Sequence, residues 1–157
     1  MRLLLSILML SLLGCCGKSD KCNSIVETSP GPKRFFELFP NATCKIKRFG
    51  GFGSPLSWKA REIVYDRYEI CCYIDRVETV SNTEQKGNCV VYINEVISDI
   101  ELDTNGKWIS ISRTTLGQLS VDRFMMISSV DELFMALDIK PKKDMPISNI
   151  ELLRTHW

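Results

Sequence analysis

Histidine is almost missing from this chain: among 157 residues there is one imidazole, His156. That scarcity leaves Ser–His and Cys–His catalysis dependent on a single side chain next to the last residue, where backbone is usually poorly ordered. Charge of one sign is also missing. Twenty Lys and Arg stand against nineteen Asp and Glu, for a net charge of +1. Such a balance gives no field to steer the chain onto nucleic acid. Six Pro and nine Gly exclude collagen-like or linker-dominated chains. No segment reaches the roughly 20 apolar residues of a transmembrane helix. No CxxC or Cys/His spacing suggests zinc or thioredoxin-like chemistry, so no metal and no cofactor is expected. Gly50-Gly51-Phe52-Gly53-Ser54-Pro55 lacks the Gly-Lys-Ser/Thr ending that cradles phosphate and reads as a plain loop.

What remains is an ordinary globular composition, 45% apolar, 25% charged and 9% aromatic, with seven Cys as the unusual count. At the N-terminus Arg2 precedes the apolar run Leu3 to Leu13. A short positive start followed by about 7–15 apolar residues is the pattern of an export signal. The run ends Leu12-Leu13-Gly14-Cys15. This resembles the lipobox of bacterial lipoproteins: an aliphatic residue, a small or aliphatic one, Gly or Ala, then Cys. The resemblance covers this segment alone. It implies cleavage before Cys15, lipidation at Cys15, and attachment to a membrane surface facing the periplasm or cell exterior. Plain secretion, with cleavage a little later, after Cys16, is the alternative. The expected organisation is residues 1–14 as export signal, 15–21 as a polar tether, and 22–157 as one globular domain.

The expected fold class is α+β: an antiparallel meander of three or more strands with a C-terminal helix packed on one face. Pro30-Gly31-Pro32 suits the start of a short helix. Phe35, Phe36, Leu38 and Phe39 then form an apolar cluster too costly to leave in water. Ser57 to Arg61 reads as a brief helical turn. Ile63 to Val80, Asn88 to Asp103 and Lys107 to Ser112 are rich in Ile, Val, Tyr and Thr and read as three strands, the second long enough to carry a bulge. Asn105-Gly106 is a strong hairpin signal. A turn centred on Glu84 places Cys72 opposite Val96, Tyr68 opposite Ile100 and Cys89 opposite Thr79. The Asn105-Gly106 turn places Leu102 opposite Ile109 and Ile100 opposite Ile111. Even-numbered positions then share the core face, including Val90, Tyr92 and Val96 of the second strand. Arg123 to Ile127 reads as a further strand. Ser129-Val130-Asp131-Glu132 is a capping box opening a helix to about Asp138.

Chemistry is sparse. With Cys15 lipidated, six Cys remain in an oxidising compartment, where disulfides persist. The most local pairing is Cys22 with Cys44. In the expected register Cys89 lies roughly 25 Å from Cys71 and Cys72, too far for a bridge. Asp99, Glu101, Asp103 and Asn105 alternate, but Thr104 stands where a calcium loop needs Gly. Glu69 would face Asp99, and Arg67 would face Glu101 and neutralise that patch. The sheet face away from the core would present Tyr65, Arg67, Tyr73 and Trp108. Aromatic and Arg side chains are favoured on protein-binding surfaces. No catalytic residue is singled out. The functional expectation is a non-catalytic binding or structural component of the cell envelope, its partners the membrane through the lipid anchor and an unidentified protein. An envelope inhibitor or immunity-type protein is the alternative, and an enzyme built on Glu69 and Asp99 the third class.

Overall fold

The computed structural model describes residues 20–48, 50–51, 56–81, 84–103 and 106–144. Cys15, the signal segment, Asn105 and His156 lie outside these residues. Two helices open the described chain, α1 (Asp20–Thr28) and α2 (Pro30–Leu38). Five strands follow: β1 (Thr43–Arg48), β2 (Leu56–Val64), β3 (Tyr68–Ser81), β4 (Glu84–Asp103) and β5 (Gly106–Ser120). Two short helices, α3 (Val121–Met125) and α4 (Val130–Ala136), complete the order. The strands form one antiparallel sheet in chain order, β1-β2-β3-β4-β5, so the α+β meander is the architecture of this protein.

Local chemistry explains the elements. α2 starts on Pro30, whose fixed φ and missing N–H suit a first helical position, and Pro40 follows its end. Its apolar residues Phe35 and Phe36 are buried, with Phe39 just beyond. Each large side chain removed from water contributes roughly 2–3 kcal/mol. α4 is capped at its start by Ser129, whose hydroxyl accepts from the Glu132 N–H at 3.1 Å. The Glu132 carboxylate closes back one residue earlier than a strict capping box, onto the Ser128 N–H at 2.8 Å. At its other end Asp138 takes φ 55°. There the Ile139 N–H reaches Phe134 O and the Asp138 N–H reaches Met135 O, both at 3.0 Å, a Schellman closure.

Several sequence expectations need correction. Ser57 to Arg61 is strand, not a helical turn: Trp58 and Ala60 alternate into the core and β2 runs on to Val64. The expected first strand is broken at Tyr65–Arg67, where Tyr65 and Asp66 both have positive φ and the Arg67 N–H bonds Val64 O, as in a tight hairpin turn. Arg123 to Ile127 is not a strand; α3 occupies its start. Asp20 and Lys21, placed in the tether, belong to α1.

The register of β3 against β4 also differs. Tyr68 pairs with Glu95, Cys72 with Val91 and Ile74 with Cys89. Ser81 pairs with Glu84, and two register shifts lie between that pair and the Ile74–Cys89 pair, so the offset along the rest of the hairpin is odd. β3 therefore presents its even positions to the core, whereas β4 presents its odd ones: Tyr68, Ile70, Cys72 and Ile74 meet Val91 and Ile93. Val90, Tyr92 and Val96 lie on the opposite face. Between β4 and β5, Ile100 pairs with Ile109 and Leu102 with Lys107, two residues from the expected partners. The shift between Ile93 and Asn94 leaves Leu116 of β5 as the extra residue of a bulge.

All four helices cover one sheet face. Phe35, Phe124, Leu133 and Phe134 pack there over Trp58, Tyr68, Ile70 and Leu119. Gly117 gives Leu137 room on that face, since a Cβ there would stand 3.1 Å from Leu137 Cδ2. A disulfide between Cys22 and Cys44 ties α1 to β1, with Cα atoms 6.5 Å apart.

Candidate functional site

The outer sheet face, away from the helices, carries the densest polar group. Alternation along neighbouring strands brings Arg61 of β2, Glu69 of β3, Asn94 of β4 and Thr115 and Arg113 of β5 to this face. Glu69 is 0% exposed and Arg61 4%. A carboxylate this deep is tolerated only with donors around it. Glu69 Oε2 accepts from Asn94 Nδ2 at 2.9 Å and from Arg113 Nε at 3.0 Å. Oε1 faces Arg61 Nη1 at 3.4 Å. Thr115 Oγ1 donates to Asn94 Oδ1 at 2.8 Å, which turns the amide nitrogen toward Glu69.

Burial pushes the Glu69 carboxyl up, but the Asn94 hydrogen bond and the charges of Lys59, Arg113 and Arg61 outweigh it and hold it below its ordinary value. Burial pushes Arg61 down, against the opposing pull of Glu69. Beside them Cys71 is fully buried, and burial followed by the Glu69 charge pushes its thiol up to about 12. Burial likewise raises the Tyr92 hydroxyl, with Cys71 next in effect. Glu69 is thus an ionised acceptor, buried and held by three donors. A general base working near neutral pH needs a raised carboxyl and a free lone pair aimed at substrate. The chemistry this arrangement suits is holding charge in place.

A cavity of about 390 Å³ opens next to the knot, lined by Asn41, Thr43, Arg61, Glu62 and Ile63. Arg61 therefore joins the buried network to the cavity wall. Its size falls in the range of small-ligand sites. Near it, Lys45 of β1 stands opposite Lys59 of β2. Burial, then Lys47, Arg61 and Lys59, lower the Lys45 ammonium from its ordinary value. Lys59 also sits over the Tyr92 ring, 5.6 Å from its centroid.

Of the four residues expected to form a binding face, Tyr65 and Tyr73 lie on different sides of the sheet. Tyr65 lies in the β2–β3 turn and packs toward the helices, its ring 5.7 Å from that of Phe134. Its hydroxyl donates to Asp131 Oδ1 at 2.6 Å, and Lys143 Nζ lies 4.7 Å from its ring centroid. Arg67 stands beside Val96 rather than Glu101 in register, its carbonyl accepting from the Val96 N–H at 2.9 Å, and its guanidinium is engaged by Glu95 at 2.7 Å. Lys142 reaches the same carboxylate at 3.4 Å. Tyr73 is half-buried on the outer face, between Lys59 and Val90 in register. The Trp108 backbone pairs with Glu101 in the distal part of β5, and its side chain lies outside the described residues. Glu69 faces Asn94 rather than Asp99, which removes the proposed carboxylate pair. Among the described residues, no three His, Cys, Asp or Glu side chains converge to hold a metal ion. No helix among them is long and apolar enough to cross a membrane.

The Glu69 knot was missed because its members depend on strand register. The one usable signal was Arg61 and Glu69 at odd positions flanking the β2–β3 turn. No family model, no curated protein and no solved structure matches this chain.

Proposed function

We propose that this protein is exported, lipidated on Cys15, and held at the cell envelope as a non-catalytic binding component. The observation that carries this reading is the Cys22–Cys44 disulfide, a bond that persists in oxidising compartments outside the cytosol. It fits the export signal and lipobox-like junction that precede it. α1 begins at Asp20, so only a few residues separate Cys15 from folded structure, and the domain would sit close to the membrane. The polar knot supports binding over catalysis, because Glu69 is fully buried with its pKa lowered and Arg61, paired with it, lies at the wall of a ligand-sized cavity. The test is metabolic labelling with a fatty acid in a bacterial host. Wild type should take up label and stay with membranes, and Cys15→Ala should lose both. Label persisting in Cys15→Ala, or absent from wild type, overturns the reading.

A further inference from the structure

Three described cysteines lie outside the disulfide: Cys71, Cys72 and Cys89. Cys71 points to the outer face. Cys72 and Cys89 point to the core face from adjacent strands and occupy diagonal positions, Cys72 opposite Val91 and Cys89 opposite Ile74. Their sulfur atoms are 3.7 Å apart, in hydrogen-bond contact. The expected separation of roughly 25 Å, which ruled out a bridge between these strands, is overturned by the observed register.

We propose that Cys72 and Cys89 are a redox pair that closes to a second disulfide by exchange with a disulfide-bearing oxidant. Burial separates their roles. Cys72 is fully buried and Cys89 half-buried, so the oxidant meets Cys89 first. Cys89 sits at the N-terminal turn of α2, where Gly31 leaves space for its sulfur: a Cβ on Gly31 would lie 2.9 Å from it. The hydrogen bond from Cys72 lowers the Cys89 thiol from its ordinary value, while that bond and burial raise Cys72. The thiolate is the attacking form, so both exposure and ionisation favour Cys89.

The Cys89 thiolate attacks the oxidant R–S–S–R, forming Cys89–S–S–R and releasing one RS⁻. The Cys72 thiolate then attacks the Cys89 sulfur and releases the second RS⁻. The two protons given up by the cysteines convert both leaving groups to RSH. Two cysteine thiols are oxidised and one external disulfide is reduced. Closure draws the Cys89 sulfur off Gly31 and toward Cys72, and locks β3 to β4 beneath α2.

The full chain is equilibrated in oxidised and reduced glutathione mixtures, quenched, alkylated and mapped by peptide mass. The expected result is a Cys72–Cys89 crosslink with loss of two hydrogen atoms, and a thermal midpoint raised by roughly 10 °C over the open form. Cys71→Ser should leave the crosslink intact. Cys72→Ala and Cys89→Ala should each abolish it. Two alkylatable thiols at Cys72 and Cys89 under conditions where Cys22–Cys44 is closed overturn the proposal, as does a Cys71–Cys89 crosslink. Because mapping is done on wild type, the result stands even where an alanine variant fails to fold. The chemistry is read in vitro, so its failure leaves the export reading intact, and loss of fatty-acid labelling leaves this one intact.

Discussion

Glu69 is the residue whose environment is most demanding. It is fully buried, and its stability rests on two guanidinium groups and one amide. Removing one partner of a buried charged group leaves the others uncompensated and costs about 3–5 kcal/mol. Glu69→Ala should therefore be among the most destabilising single substitutions, read as a drop in the urea midpoint. An unchanged midpoint would show that the knot carries no stability. The same group sets an acid limit. Its folded pKa lies below the ordinary 4.5, so its contribution is present above 4.5 and is lost as pH falls through the lower folded value. Glu69→Gln should lose this part of the acid sensitivity, so its stability falls less between neutral pH and pH about 3 than that of wild type.

At the scale of elements, α2 meets β4 closely at Gly31, where a Cβ would stand 2.9 Å from Cys89 Sγ. Alanine is normally the better helix residue, by about 1 kcal/mol over glycine. Gly31 is the exception here, because its missing Cβ leaves room for Cys89 and for Val121, whose Cγ2 would be 3.1 Å away. Gly31→Ala should lower stability by about 1–3 kcal/mol despite the gain in propensity. A stabilised variant in thermal melts would contradict this packing. β4 also explains how much could be read in advance. β3, β4 and the start of β5 were legible from their Ile, Val and Tyr content, and α4 from its capping residues, whereas β1 and the first half of β2, interrupted by Lys and Arg, were not. Register was not. Val90, Val91, Tyr92 and Ile93 are apolar in succession, so alternation along β4 does not tell one face from the other. The choice then fell to the turn: a symmetric turn about Glu84 gives an even offset, whereas the Ser81–Glu84 pair and the two register shifts beyond it give an odd one and exchange the faces of Val90 to Val96. The even offset also loses Asn94 as the partner of Glu69, and Cys89 as the neighbour of Cys72.

At the scale of the molecule, a disulfide crosslinks the helical layer to the sheet. Cys22 and Cys44 are separated by 22 positions. A loop of that length stabilises the folded chain by roughly 3 kcal/mol in the chain-entropy account. The Cys22→Ala/Cys44→Ala double variant should lose about that much in denaturant titration, with the strand-rich circular dichroism retained. Loss of the strand signal itself would show that the meander does not stand without its N-terminal tie.

The order of the strands has a final consequence. Each strand pairs only with its neighbours in sequence, so the sheet is assembled from short-range partners. The layer over it is not. Phe35 rests against Phe124, and Arg34 donates to Ile127 O across 93 residues of sequence. Among the described residues, the helices that come first in sequence are thus covered in part by those that come last. A nascent or truncated chain that stops short of α3 can pair every strand of its meander and still leave Phe35 without its contact to Phe124.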